Sequence, residues 1–319
     1  MSYECKILAD SISTAGHRLT TYVATFPRIT LSEANTHRVL SRNSGSSRAI
    51  PLSRQIIRVL DDPFVPSQFG INQAGMQAAS SLSGDRHHEA VTIWLQARDR
   101  AVAAAYELVL GRSKFLATFG VQPRRELLRS TAPRLATLLD EGGVLNVHKQ
   151  VVSRLLEPFM WQTVIISATE WSNFFALRTH PDAQPEIQVV AGMMQAAYGA
   201  STPTPVEAGR WHLPLLQPDE RALAAADPDF WVKVVVGRCA RVSYLTHDGV
   251  RDPAKDIELY ERLVSSGHMS PLEHAARPMT EAEFAATGEW SGNFRGWHQH
   301  RKDVPNEADY AQVLAGAMA

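Results

Sequence analysis

The chain has 319 residues, with 32 Lys and Arg against 33 Asp and Glu, a formal net charge of −1. Near-neutrality gives no sign of broad nucleic-acid affinity, so any anion site must be local. Two cysteines, Cys5 and Cys239, exclude a disulfide framework; the apolar runs are too short for a membrane span, and the first residues lack a signal-peptide pattern, so a cytoplasmic protein is expected.

Residues 18–28 alternate small polar and apolar side chains and predict a half-buried strand. Ser32 is placed to cap a short helix carrying His37 and Arg38, which runs into a loop over 43–47. Residues 51–84 are rich in Pro, Gly, Ser and Gln and predict a long irregular excursion, either a lid or a surface wrap. Val91, Trp94, Ala97, Ala101, Ala105 and Leu108 then recur at helical spacing, with Gly111 as the stop. Helical stretches follow over 123–140, interrupted by Pro133, and over 146–157, before an apolar run at 159–166 that suits a buried strand. Two more helices are expected over 170–178 and 185–198, then a turn-rich link over 201–218. The Val-rich residues 231–245 suggest a strand, Asp252-Pro253 opens a helix closing at Gly267, and an Arg-, His- and Trp-rich tail precedes a last short helix. Strands and helices mix without alternating, which predicts an α+β fold with an antiparallel sheet flanked by helices. One domain over 1–319 is expected, with possible sub-lobes 1–200 and 219–319.

The most informative segment is Thr36-His37-Arg38-Val39-Leu40-Ser41-Arg42-Asn43-Ser44-Gly45-Ser46-Ser47-Arg48. It sets His37, Arg38, Arg42 and Arg48 around small polar residues, a combination suited to an anionic planar ligand: hydroxyls and N–H groups meet phosphate oxygens, and guanidinium forks add charge and direction. The segment resembles the signature of flavin-dependent thymidylate synthases, Arg-His-Arg-x-x-Ser-x-Asn-x-x-Ser-x-Arg. Only the first position departs, with Thr36 in place of Arg.

Four further elements carry the resemblance. Asn173-Phe174-Phe175-Ala176-Leu177-Arg178, followed by Ala183-Gln184-Pro185-Glu186-Ile187, is similar to the family's Asn-Phe-x-x-Leu-Arg…Ala-Gln-x-Glu-Ile-Arg element. Its arginine lies against the pyrimidine, which implies that Arg178 activates the base; a charge capping the helix C-terminus is the other reading. Arg154-Leu155-Leu156-Glu157-Pro158 resembles Arg-x-x-Leu-Pro with Glu157 for Leu, implying nucleotide binding by Arg154 or simply a surface arginine. Gly267-His268-Met269-Ser270-Pro271-Leu272-Glu273-His274 resembles Gly-His-x-Ser-Pro-x-Glu-His, and Ala240-Arg241-Val242-Ser243 resembles Ala-Arg-x-Ser. A metal site at the His-Glu-His cluster is disfavoured by the Ser-Pro insertion and the lack of further ligands.

The resemblance implies that Ser46, Ser47, Arg48, Arg154 and Arg178 bind the nucleotide. It places His37, Arg38, Asn43, Asn173, Ser243, His268, Ser270 and Glu273 on the flavin side. In most members the Ala-Arg-x-Ser and Gly-His-x-Ser-Pro elements precede the signature; here they follow, as in a circularly permuted chain. Other positions depart as well. Glu33 and Thr36 stand where the family has Gln-x-x-Arg, Ser44 where an acidic residue follows the Asn, and Ser167-Ala168-Thr169 where it has Asn-Ala-Arg. The tail from Arg295 to Lys302 could replace lost contacts or be merely a solvated basic tail.

The activity so implied is cysteine-free transfer of a one-carbon unit to C5 of dUMP. FAD is the cofactor, NADPH and 5,10-methylenetetrahydrofolate are co-substrates, and the assembly is a homotetramer without nucleic-acid or membrane partners. Hydroxymethylation of dUMP or dCMP is one alternative, and a non-catalytic nucleotide-binding descendant is another.

Overall fold

The computed structural model describes residues 2–46, 49–75, 77–242 and 251–305, together with 307 and 309. Its centre is a five-stranded sheet in the order β3-β4-β2-β1-β5, with β1 Glu4–Ser13, β2 Arg18–Pro27, β3 Ser41–Ser44, β4 Trp161–Ala168 and β5 Thr204–Val206. The β1–β2, β2–β4 and β4–β3 pairs are antiparallel, and β5 adds one parallel edge strand to β1. The central strands β2 and β4 are rich in β-branched and aromatic residues, so that each face finds its own apolar layer.

One face buries Tyr22, Ala24, Phe26, Val164 and Ile166 under the helices Ser172–Arg178 and Pro185–Ala200, which contribute Phe174, Phe175, Ile187, Val190 and Met194. Burying each large apolar side chain stabilises the fold by about 1.5–3 kcal/mol before entropy is counted. The opposite face carries Val23 and Ile165 against Val235, Cys239 and Val242. Beside them Leu19 packs on Ala276, Phe294 and Trp297 from the C-terminal segment. A separate helical layer, built on Leu52–Asp61, Gly84–Leu110 and the short helices up to Phe159, buries its own core around Ile56, Leu60, Tyr106, Leu110 and Leu156.

The structure corrects several sequence expectations. The Val-rich segment is not a strand but a helix, Pro228–Ala240, started by Pro228 and by Asp227, whose carboxylate accepts from the Phe230 N–H at 3.2 Å. A short apolar run cannot distinguish a buried strand from a buried helix. Gly237 lets this helix pack closely, since a Cβ there would lie 2.3 Å from the Asp256 carbonyl oxygen of the helix Pro253–Ser265. Residues 51–84 are irregular only after the amphipathic helix Leu52–Asp61, which buries Leu52, Ile56, Val59 and Leu60. The helix near Ser32 spans only Leu31–Asn35, with Thr30 at its N-cap, so His37 and Arg38 sit in the following turn, and 43–44 of the expected loop belong to the strand Ser41–Ser44. The strand β1 has no counterpart in the sequence reading. The expected last helix lies outside the described residues.

Candidate active site

The signature turn and β3 run along the edge of the sheet, next to the helix Ser172–Arg178 and the 3-10 turn Ser270–His274. Arg178, in the last turn of its helix, donates from Nε to His37 Nε2 at 2.8 Å and from Nη2 to Thr36 Oγ1 at 2.8 Å. Thr36 is thus the partner of Arg178; an arginine in its place would set two like charges together. His37 is 7 % exposed, its ring meets Phe174 edge-on, and Asn173 hydrogen-bonds it. Burial, then the Arg178 and Arg42 charges, hold its pKa below the usual imidazole value. It is therefore a neutral acceptor for the guanidinium.

Asn43 joins the signature to the C-terminal blocks. Its Nδ2 donates to the Cys239 carbonyl at 2.7 Å, and its Oδ1 accepts from Ser270 Oγ at 3.3 Å. Glu273, three residues on, accepts from Arg301 at 2.5 Å through Oε1, so one of its carboxylate oxygens is held by the tail. Arg38, His268, Ser270 and Ser46 are exposed. Ser47, Arg48 and Ser243 lie outside the described residues.

Arg154 sits on the helical layer, 57 % exposed, and donates to Glu157 at 2.7 Å. The Arg28 guanidinium holds the same carboxylate at 2.8 Å and bonds Gln162, whose amide donates to the Gly45 carbonyl at 3.1 Å. A polar chain therefore runs from Arg154 to the small-residue loop of the signature. The departure at Glu157 supplies one of its links.

The tail is packed, not solvated. Trp297 and Gln299 are buried, and Gln299 donates to Ser41 Oγ at 3.1 Å and to the Glu273 carbonyl at 3.2 Å. Its cations pair with carboxylates: Arg295 with Glu289 at 2.8 Å, Arg301 with Glu273 and Glu307, Lys302 with Glu307. The sequence reading missed what lies under this tail. Ser41, Ser167 and Thr21 stand in register across β3, β4 and β2. Gln299, His274 and His212 cover them in turn with hydrogen bonds. Hydroxyls at in-facing strand positions were the available signal. Beside this row, Thr169, Glu170, Trp171, Ser172, Arg18 and Arg295 line a cleft of about 340 Å³. Among the described residues no group of three or more His, Cys, Asp or Glu could hold a metal, and no helix is long and apolar enough to cross a membrane.

A mixed sheet layered between helices, with arginine, imidazole and amide side chains gathered at its edge, defines an α+β protein with a polar, cation-bearing site. The chain belongs to the thymidylate synthase complementing protein family, whose model matches residues 13–204. That stretch contains the signature and the 173–187 block and stops before the 240–243 and 267–274 blocks. No curated protein matches the chain significantly. Among solved structures it is similar to a UMP/dUMP methylase, PolB from Streptomyces cacaoi, in complexes with 5-Br UMP and 5-Br dUMP. The first shows 18% identity over 62% of this chain and 89% of that chain with a TM-score of 0.41. The second shows 16% identity over 62% and 90% with a TM-score of 0.37.

Proposed function

We propose that this chain transfers a one-carbon unit to C5 of dUMP, forming dTMP, with FAD bound and with NADPH and 5,10-methylenetetrahydrofolate as co-substrates. The observation that supports this most directly is the convergence of distant blocks: Arg178 bonds His37 of the signature, and Asn43 of the signature bonds Ser270. In this reading the blocks beyond residue 204 complete a single domain over 1–319 whose motif order is permuted. Permutation preserves a site when the new break falls at the surface.

Arg178 lies against the pyrimidine, where its charge stabilises the negative charge that develops as C5 becomes nucleophilic. Neutral His37 holds the guanidinium by Nε and so orients it. Ser46, Ser47, Arg48 and Arg154 hold the nucleotide. The flavin side comprises His37, Arg38, Asn43, Asn173, Ser243, His268, Ser270 and Glu273. Exposed guanidinium, imidazole and hydroxyl groups at Arg38, His268 and Ser270 make a donor set that fits a pyrophosphate and ribose. The flavin, when bound, supplies hydride and one-carbon chemistry that no side chain here provides. The cysteines do not serve as nucleophiles, because burial pushes the Cys5 thiol up to about 11 and the Cys239 thiol higher still. A homotetramer is part of the proposal.

The test is product mass. Protein is incubated with FAD, NADPH, methylenetetrahydrofolate and either dUMP or dCMP. A methylated dUMP product supports the reading. A product one oxygen heavier assigns hydroxymethylation instead, and no product with no flavin uptake leaves a nucleotide-binding protein.

A further inference from the structure

Five buried polar side chains cross the sheet in one hydrogen-bonded line. Ser11 Oγ lies 2.8 Å from His212 Nδ1, and His212 Nε2 lies 2.7 Å from Thr21 Oγ1. Thr21 Oγ1 is 2.6 Å from Ser167 Oγ, which is 2.8 Å from His274 Nδ1. None of the five is more than 6 % exposed. At one end His274 Nε2 is buried with no hydrogen-bond partner among the described residues. At the other, Ser11 lines a cavity of about 310 Å³ with Asp10, Arg210 and Trp211.

With all donors running one way, this line has two states. Each neutral imidazole and each hydroxyl carries one proton, so the chain holds one more proton than it has links. If every donor points toward His274, both histidines carry their proton on Nε2 and the His274 N–H lies beyond the end of the line. If every donor points toward Ser11, both carry it on Nδ1 and His274 Nε2 is an acceptor. Burial pushes both imidazoles down to about 3, which keeps them neutral as either state requires. Leaving a buried nitrogen unpaired costs about 1–3 kcal/mol, and a ligand that pairs with it recovers that cost.

We propose that this line is a proton relay that ties the tautomer of His274 to that of His212, and that His274 Nε2 exchanges a proton with a ring nitrogen or carbonyl oxygen of the site's planar heterocyclic ligand. His274 shares its 3-10 turn with Ser270, which meets the signature at Asn43. In the forward direction the Nε2 proton passes to the ligand and the Ser167 hydroxyl proton moves to His274 Nδ1. The Thr21 proton moves to Ser167, the His212 Nε2 proton to Thr21, and the Ser11 proton to His212 Nδ1. A solvent proton from the cavity restores Ser11, so one proton enters and one leaves. His212, Thr21 and Ser167 are positioning residues in this scheme. The identity of the ligand rests on the functional reading above; the tautomer coupling does not.

Nitrogen-15 NMR of histidine-labelled protein reads both tautomers directly. The expected result is a matched pair, both Nε2–H or both Nδ1–H; opposite tautomers on His212 and His274 break the continuous path and overturn the relay. Thr21→Val then removes the central hydroxyl at nearly constant shape. A folded valine variant should lose about a hundredfold in kcat with KM little changed, the scale of general acid–base assistance, and Thr21→Ser should restore it. Unchanged kcat in folded Thr21→Val also overturns the proposal. If the wild-type protein turns over neither nucleotide, the functional reading fails and the tautomer pairing alone decides the relay. It likewise decides if the valine variant does not fold.

Discussion

Arg178 and His37 form a cation–imidazole contact in which the guanidinium Nε donates to His37 Nε2 at 2.8 Å. Such a bond requires an unprotonated ring, and burial beside Arg178 and Arg42 supplies that condition. The two residues come from segments 141 positions apart, one in the signature turn and one at a helix end. Their meeting turns two separate sequence blocks into one site. Thr36 completes it by accepting from Nη2, so the single departure from the signature has a structural role.

Replacing Arg178 by Lys should therefore impair turnover more than nucleotide affinity. Lysine keeps a charge but not the fork that bonds His37 and Thr36 and that, in the proposed reading, faces the base. Losing a charge-assisted contact costs about 1.5–3 kcal/mol, roughly ten- to a hundredfold. Steady-state kinetics with the nucleotide varied should show kcat falling by that factor and KM moving much less. Near-normal kcat in Arg178→Ala would assign activation of the base to another group.

How much of this was legible in the sequence depended on the kind of signal. The strand at 18–28 and the long helix ending at Gly111 follow from periodicity, and the structure has both as β2 and Gly84–Leu110. The helix Pro228–Ala240 was read as strand because its valines fit either state; its start signal, Asp227-Pro228, lies just before the valine run, and its close packing through Gly237 on the Asp256 backbone is a tertiary feature. Asn43 and Ser270 could be picked out from their motifs, but their bond spans 227 positions, which no local pattern encodes. The buried row of Ser11, Thr21 and Ser167 escaped notice because hydroxyls alternating along a strand look like an exposed face. Here the C-terminal segment covers that face.

Asn43 should matter for stability as well as for ligand binding. Its amide satisfies the Cys239 carbonyl at 2.7 Å at the end of the helix Pro228–Ala240 and also holds Ser270. Asn43→Ala removes that side-chain donor, at an expected cost of about 0.5–1.5 kcal/mol. Asn43→Asp should cost more, because a carboxylate would face a carbonyl oxygen. Urea unfolding checks both; equal midpoints for wild type and Asn43→Asp would show that the bond contributes nothing.

Flavin retention should separate exposed ligand-binding groups from structural ones. His268 and Ser270 are exposed, so their combined change to Ala should lower flavin absorbance per protomer while leaving the melting temperature nearly unchanged. Glu273→Ala differs, because it strands Arg301 and disturbs the packed tail. It should lower both flavin content and melting temperature. Full flavin occupancy in the His268/Ser270 double variant would remove these residues from the flavin side.

Acid should destabilise the protein from a higher pH than carboxylates alone would cause. His212 and His274 are buried and neutral, with folded values pushed down to about 3 by burial, while unfolded histidine titrates near ~6.5. Between those values the unfolded chain binds more protons than the folded one, so stability rises with pH and is lost as pH falls from ~6.5 toward 3. Each such histidine contributes a slope of about 1.4 kcal/mol per pH unit within the window. Glu283, held at about 2 chiefly by Arg277, and Asp303, lowered by His298 and His300 against the opposing effect of burial, add to the loss only below their unfolded values near ~4. Denaturant titrations at pH 7, 6 and 5 should therefore show falling stability before any carboxylate titrates. Replacing His212 by Gln should flatten that limb by about one histidine's share. A wild-type stability that stays level down to pH 5 would mean that these two imidazoles accept protons in place.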